Sequence, residues 1–379
     1  MLRHLGGGVN LPFELAPSGL RVGDERVVAF LTTLSRKLLA LGRRYPELAS
    51  LGFFLRRAEI ERQLSQLDGL RRPCGVVFHV PPANVDTVFV YSWALSALAG
   101  NTNVVRISPR AGAAARAILD VWHSIEDAVL ARTQHFVTYD RDDELTAALS
   151  EAADLRVLWG GDNSVRALRR FPLAPHARDL TFPDRSSFAI VSVEGWRRAT
   201  EAERRAAVEG FFNDAYWFDQ AACSSPRGVF WVGDEDVSAE FRALLVAVAA
   251  EKKHVTEPAM AVRKRVSAYG AAADGHVSRI HLDSDAVTSL DTTTVLREWL
   301  GAGVFTHSRV STLEEVIPRV VRKDQTVTHF GFSRDELLDF GVRSGVDRVV
   351  PFGSALTFSP VWDGFNLLAE FTKLTTVTV

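Results

Sequence analysis

Phe218 to Gly228 reads FDQAACSSPRG and carries Cys223, one of two cysteines in the chain. A thiolate is the strongest nucleophile a side chain offers near neutral pH, and it forms acyl intermediates with thioesters and aldehydes. Two readings compete. A lone cysteine is ordinarily a small buried hydrophobe. Here Ala221, Ala222, Ser224 and Ser225 surround it with small side chains, and Pro226-Arg227-Gly228 restart the chain before an apolar run. Such a loop leaves a substrate room to approach. Cys74 opens the apolar stretch Gly75 to Val80 and reads as core.

Three other loops hold groups that could serve that chemistry. His79-Val80-Pro81-Pro82-Ala83-Asn84 leaves a strand and enters a helix. Asn84 is an amide donor there, or equally the N-cap of the helix that follows. His79 is a candidate acid-base group, or a structural ring beside two prolines. Arg106 to Arg110 (RISPR) offers two arginines and Ser108, a set able to hold phosphate, or only a solvated loop. Trp159-Gly160-Gly161-Asp162-Asn163-Ser164 follows another strand and opens another helix. Its glycines let backbone N–H groups approach an anion. His329 is a further candidate acid-base group; Tyr216 and Asp219 are candidates for shaping a substrate channel.

These residues need a scaffold, and the pattern supplies one. Phe30, Leu31, Leu34, Leu38 and Leu41 recur at helical spacing, so 27–41 reads as an amphipathic helix; 53–67 reads as a second. From Cys74 onward apolar strands alternate with helices: strand 75–80, helix 85–99, strand 103–107, helix 113–130, strand 136–139, helix 143–152, strand 155–159. That alternation predicts a doubly wound α/β domain. A second α/β unit follows, with strand 187–193, helix 200–212, strand 228–232 and helix 237–252. Gly6-Gly7-Gly8 reads as a flexible end, and the threonine- and valine-rich stretch 371–379 reads as a strand that pairs outside its own domain. The expected divisions are 1–186, 187–355 and 356–379.

Composition excludes several classes. The chain has 379 residues, 47% hydrophobic and 24% charged, and a net charge of -2. That profile gives no reason to expect nucleic acid or an anionic membrane surface as a partner. Two distant cysteines make no zinc framework or disulfide scaffold. No apolar run is long enough to span a bilayer, and the start of the chain lacks a signal-peptide core. A cytoplasmic location is the expectation.

Taken together, the segments resemble the aldehyde dehydrogenase superfamily. The resemblance rests on Pro82 to Asn84, Leu98-Ala99-Gly100-Asn101-Thr102, Arg106, the Gly160-Gly161-Asp162 loop, Asp219-Gln220-Ala221-Ala222-Cys223, Pro351-Phe352-Gly353 and the terminal stretch. Within it, FPDRSSFA (182–189), FDQAACSSPR (218–227) and the VPFG and FSPVWDGFNLL segments (350–368) are similar to acyl-CoA reductases of the LuxC type. The front end, with FLTTLSRKLLAL and YPELASLGFFLRRAEI, is similar too.

This resemblance implies an aldehyde dehydrogenase-like α/β fold: a Rossmann-type cofactor domain, a catalytic domain and an oligomerisation strand. It implies that acyl-CoA, or acyl groups on a carrier protein, are reduced to aldehydes through acyl-Cys223, with Asn84 and the Cys223 N–H as oxyanion donors. It implies a nicotinamide cofactor at Arg106, Gly160, Gly161, Asp162 and Ser164. Ser108 and Arg110 lie where a 2′-phosphate would be held, so NADPH is expected, with NADH open. A homodimer or larger homo-oligomer is expected. One departure bears on the reaction. Where aldehyde dehydrogenases carry a water-activating glutamate, this chain has Thr181-Phe182, with Asp184 the nearest carboxylate. That favours reduction over hydrolysis. An acyltransferase that hands the acyl group from Cys223 to a partner, with no redox step, is the alternative.

Overall fold

The computed structural model describes residues 3–6, 15–82, 85–293 and 295–378. The chain forms two compact units: Met1–Asp184 with Phe358–Val379, and Arg185–Thr357.

Unit 1 runs β1 (Arg3–Gly6), α1 (Glu25–Leu41), α2 (Pro46–Phe54), α3 (Arg57–Ser65), β2 (Arg71–Pro73), β3 (Val76–Val80), α4 (Val88–Leu98), β4 (Thr102–Arg106), α5 (Ala113–His123), α6 (Ala128–Thr133), β5 (Gln134–Thr138), α7 (Asp143–Glu151), β6 (Leu155–Trp159), α8 (Asp162–Arg169) and β7 (Arg178–Phe182). Its sheet has the order β1-β5-β4-β3-β6-β7, parallel except at β1. Strands β3 and β6 are buried along their whole length because helices cover both faces. On one face α1, α4 and α5 pack on Val77, Val105 and Val157. On the other, α7 and α8 contribute Leu149 and Val165 against Phe78, Val104 and Leu158.

Several sequence expectations shift. The 53–67 helix is two helices, because the chain is extended at Arg56. Leu51, Phe54 and Leu55 fit one helical face, but Ile60 falls out of phase with them and reaches the core only after that reset. The 113–130 helix also breaks. The Asp127 carboxylate accepts from the Val129 and Leu130 N–H groups and starts α6 afresh. Residues 3–6 form an edge strand antiparallel to β5, so the start of the chain is not wholly a loose end; Gly7 and Gly8 lie outside the described residues.

Unit 2 runs β8 (Ser186–Ser192), α9 (Val193–Arg198), α10 (Glu201–Tyr216), β9 (Pro226–Val232), α11 (Ser238–Glu251), α12 (Pro258–Ala273), β10 (Val277–Leu282), β11 (Thr288–Thr292), β12 (Val304–Val310), β13 (Asp324–Phe330), α13 (Arg334–Ser344) and β14 (Arg348–Pro351). The sheet order is β10-β11-β12-β9-β8-β13-β14, antiparallel only at β10. Helix α10 begins at a capping box between Thr200 and Glu203.

The return segment belongs to unit 1. A hairpin of β15 (Val361–Trp362) and β16 (Phe365–Asn366) turns through Asp363 and Gly364, both at positive φ, the Asp-Gly pair such turns favour. After α14 (Leu367–Glu370), β17 (Thr372–Leu374) pairs antiparallel with β2. The expected terminal strand is therefore three residues long and bonded within its own unit; residues 375–378 have no regular structure.

Candidate active site

The cysteine turn is built on the C-terminal end of α10. The Gln220 N–H donates to the Ala215 carbonyl (2.7 Å) and the Asp219 N–H to that of Tyr216 (3.3 Å). This six-to-one closure usually uses glycine at its left-handed position. Here Asp219 (φ 47°) and Gln220 (φ 58°) take that conformation side by side. Each costs on the order of 1 kcal/mol, and such strain persists only where the surroundings hold it.

Gln220 is what holds it. Its buried side chain donates to the carbonyls of Pro226 (2.9 Å) and Val304 (3.1 Å) and accepts from the Gly303 N–H (2.7 Å). Trp299 Nε1 donates to the Asp219 carbonyl (3.0 Å). Beyond the thiol, Ser187 Oγ donates to the Cys223 carbonyl (2.7 Å) and Ser225 Oγ to the Asp214 carbonyl (2.7 Å). Cys223 is half-buried between buried Ala222 and Ser224. The thiol thus sits on a backbone fixed on both sides, the pre-organisation a nucleophile needs. Cys74 is buried, its Sγ 3.6 Å from the Glu370 carbonyl, and burial raises its pKa.

The acid-base candidates fall elsewhere. Ser187 Oγ also accepts the Thr326 N–H (3.2 Å), which puts Thr326 level with the cysteine turn. His329 lies three residues further along β13, opposite Ile190, about 10 Å away at the rise of a strand. Burial pulls it down to about 4, so it is neutral there. His79 is fully buried in unit 1. Its Nε2 faces Asn103 Oδ1 (2.8 Å) and its Nδ1 faces Ser92 Oγ (2.8 Å). Asn103 Oδ1 can only accept, so Nε2 carries the proton and Nδ1 accepts from Ser92. Burial lowers His79 to about 4 as well. It is a link in a satisfied polar chain that runs on through Asn103 Nδ2 to Gln134 Oε1 (2.7 Å), where Trp93 Nε1 also donates (2.8 Å).

Tyr216 is a core residue rather than a channel wall. Its ring stacks on Phe212 (centroids 4.5 Å apart), its hydroxyl donates to the Ala286 carbonyl (3.0 Å), and burial pushes its pKa up. Asp219 is exposed.

In unit 1 the strand order reverses direction between β3 and β6. The β3 connection runs to α4 on one face and the β6 connection to α8 on the other. The carboxyl ends of such diverging strands form the crevice where α/β sheets bind nucleotides. Gly160 sits there at φ 146°, a conformation essentially reserved for glycine. Gly161 opens α8, and a Cβ on it would meet nothing within 4 Å. Ser164 is exposed in the first turn. At the end of β4, Arg106 lies over the Tyr139 ring (4.6 Å), and its buried Nε has no hydrogen-bond partner. Ser108 Oγ accepts from the Arg110 N–H (3.2 Å), while Arg110 itself is exposed. An open glycine cradle on a helix N-terminus, with an orphaned arginine N–H at the end of a strand two places away, fits a dinucleotide. Asp162 fits it less well. Its carboxylate would repel phosphate, and it accepts the Asp184 N–H (3.3 Å), which braces the loop. Asn84 lies outside the described residues.

Phe182, one of the two residues compared with the missing glutamate, is buried and stacked on Trp159 at 3.8 Å. That stack belongs to an aromatic cluster with Tyr91, Phe358, Trp362 and Phe365. Thr181 is half-buried on the same strand.

Comparison with known proteins turns this geometry into a family assignment. The profile of acyl-CoA reductase (LuxC) matches residues 51–273, which include the strands of the β3–β6 crevice and the cysteine turn. The chain belongs to the LuxC acyl-CoA reductase family. A long-chain acyl-protein thioester reductase of Aliivibrio fischeri is 23% identical over 299 residues, covering 74% of this chain and 59% of the relative. This chain therefore spans less than two thirds of that relative's length. Among solved structures, a lactaldehyde dehydrogenase superposes with a TM-score of 0.67 at 13% identity over 94% of this chain and 86% of its own. A proline utilization A variant from Bradyrhizobium japonicum gives 0.67 at 17%, over 94% of this chain and 43% of its own. Both are likenesses of fold, and they make the fold aldehyde dehydrogenase-like.

Three residues matter to the cysteine turn beyond their motif value. Ser187 lies within the FPDRSSFA stretch, but nothing in that stretch says which carbonyl it binds. Gln220 marks a motif, yet its bonds to Gly303 and Val304 are invisible locally. Asp214 escaped altogether; its signal is a carboxylate on the apolar face of α10, beside Phe211 and Ala215.

Proposed function

We propose that this chain reduces an acyl thioester to an aldehyde through acyl-Cys223, with a reduced nicotinamide as hydride donor. The cysteine turn carries the reading: a half-buried thiol among small residues, on a strained backbone held by Gln220. The Cys223 thiolate attacks the thioester carbonyl. A bond from carbon to Cys223 sulfur forms, the bond to the carrier's sulfur breaks, and the carrier leaves as a thiol after taking a proton. Asn84 and the Cys223 N–H are assigned to the oxyanion, at about 3 kcal/mol per donor. A bound nicotinamide supplies hydride to the acyl carbon. Cys223 is then the leaving thiolate, and the aldehyde departs. Neither Thr181 nor Phe182, the stretch compared with the water-activating glutamate of aldehyde dehydrogenases, is a carboxylate, which supports reduction over hydrolysis.

The loops at Arg106 and Gly160–Ser164 are assigned to the dinucleotide, Arg106 toward ribose and the glycines toward pyrophosphate. Ser108 and Arg110, on the exposed loop after β4, support NADPH over NADH. The relative's name, a long-chain acyl-protein thioester reductase, supports a long acyl chain on a protein thiol. A homo-oligomer is supported by the edge strand β10 and by Val262, Val266 and Tyr269, exposed on one face of α12. Sedimentation checks this, and a monodisperse monomer refutes it.

The deciding experiment for the reaction incubates the protein with a long-chain acyl-CoA and NADPH. Loss of reduced-nicotinamide absorbance with stoichiometric aldehyde supports the reductase. Acyl-enzyme that passes its acyl group to another thiol, with no loss of NADPH or NADH, is the transferase outcome and refutes it.

A further inference from the structure

Helix α10 approaches the stretch that follows β14 with no side chain in between. A Cβ on Gly210 would lie 2.9 Å from Gly353 N. One helical turn later, on the same face, comes Asp214. It is 1% exposed, and its two carboxylate oxygens reach into the same stretch. Oδ2 accepts the Gly353 N–H (2.7 Å) and Oδ1 the Ala355 N–H (2.9 Å), with the Leu356 N–H also bonded. Arg348 grips the stretch through its carbonyls, donating to Ser354 (2.8 Å), Ala355 (2.9 Å) and Thr357 (3.1 Å). The backbone carbonyl of the same Asp214 accepts Ser225 Oγ, two residues past Cys223.

We propose that Asp214 is a positioning residue for Cys223, tying the nucleophile turn to the Gly353–Thr357 segment through its carbonyl on one side and its carboxylate on the other. The proposal rests on the reading of Cys223 as the acylated thiol. Packing alone does not call for a carboxylate here, since a buried charge is costly unless it is fully bonded. The bonding favours the ionised form, because three N–H groups donate to the carboxylate and hydrogen bonds to a charged acceptor are the stronger ones. Burial nevertheless pushes Asp214 up to about 7, against the downward pull of the three N–H groups and of Arg348. Among the described residues, Arg348 of β14 is the charged group acting on it. The clamp is therefore made above neutral pH and slackens as Asp214 takes up a proton.

The test compares the full-length protein with Asp214→Asn, which keeps the shape but replaces one acceptor oxygen with a donor. Amide exchange is followed in the 353–357 and 219–225 segments at pH 8. The expected result is faster exchange in both, by about tenfold. Faster exchange in 353–357 alone overturns the coupling. Acylation of Cys223 by an acyl thioester is then measured against pH. The expected result is a rate about tenfold lower in Asp214→Asn at pH 8, with an unchanged thioester KM. Below pH 7 the wild-type rate is expected to fall more steeply than the variant's, because the variant has lost the titration of Asp214. Parallel profiles overturn the proposal. Should Asp214→Asn not fold, Ser225→Ala cuts the other half of the tie; it is expected to raise exchange at 219–225 and slow acylation, and no change in either overturns it. The underlying reading fails by a different result: a thioester that labels some residue other than Cys223.

Discussion

The two units are built alike and arranged for chemistry at opposite ends of their strands. In unit 1 the assigned residues follow the carboxyl ends of β4 and β6, where glycine leaves backbone open to a ligand. In unit 2 the assigned thiol precedes the amino end of β9, on backbone tied on both sides. The difference teaches that an anion cradle and a nucleophile need contrary things. The first needs unoccupied N–H groups and room. The second needs one atom held in place, and the fold spends two left-handed non-glycine residues to hold it.

The largest expected effect breaks the tied end. Gln220→Ala removes three hydrogen bonds to the backbone of Gly303, Val304 and Pro226 and keeps the strain. Urea unfolding should show a loss of about 3 kcal/mol. A loss of only a few tenths would mean that the turn holds itself.

At the open end the paired variants differ. Gly160→Ala meets a forbidden φ and should cost about 1–3 kcal/mol of stability. Gly161→Ala has ordinary φ and free space, so calorimetry should find stability nearly unchanged while nicotinamide binding weakens. Unchanged nicotinamide KM in both would remove the cradle from the account.

A smaller effect follows pH. Burial lowers His79 and His135 in unit 1 to about 4, from 6.5 when exposed. The unfolded chain binds protons in that interval that the folded unit refuses. Stability is therefore complete above pH 6.5 and lost as the pH falls through 4. His329 in unit 2, at about 4, and His307, at about 3, act in the same sense. Asp214 acts in the opposite one: raised from 3.8 to about 7, its contribution is complete below 3.8 and lost as the pH rises through 7. Urea unfolding from pH 7 to 4, followed by a probe in each unit, should show unit 1 weakening steadily, with unit 2 partly compensated. Asp214→Asn should abolish the compensation.

The smallest expected effect is on cofactor choice. Arg110 is exposed, and Arg110→Ala should lower the preference for NADPH over NADH by only about threefold, as surface charge pairs are weak. No change would free that loop of the 2′-phosphate.

Legibility in the sequence followed the same divide. Strands β3 and β6 were readable because both faces are buried and nearly every side chain on them is apolar. Strands β11, β12 and β13 were not, because they bury polar groups whose partners lie on other strands or loops: Thr292 with Ser308 (3.1 Å), Trp231 with His307 (3.0 Å), Arg297 with Asp324 (2.6 Å). Gly160 and Gly161 could be singled out from the strand before them and the helix after them. Asp214 could not, because its acceptors' partners lie 139 and 141 residues away. His79 and His329 show the converse. Their residue type suggested acid-base work, and only burial and strand register reveal one as a satisfied core group and the other as remote from the thiol.

The central claim is that Cys223 carries the acyl group and yields it to hydride. Mass spectrometry of the intact protein after a long-chain acyl thioester, followed by peptide mapping, tests it most directly. The account predicts one acyl adduct, on Cys223, that disappears when NADPH is added and is released as aldehyde. An adduct on any other residue, or a Cys223→Ala protein that still makes aldehyde, would contradict it.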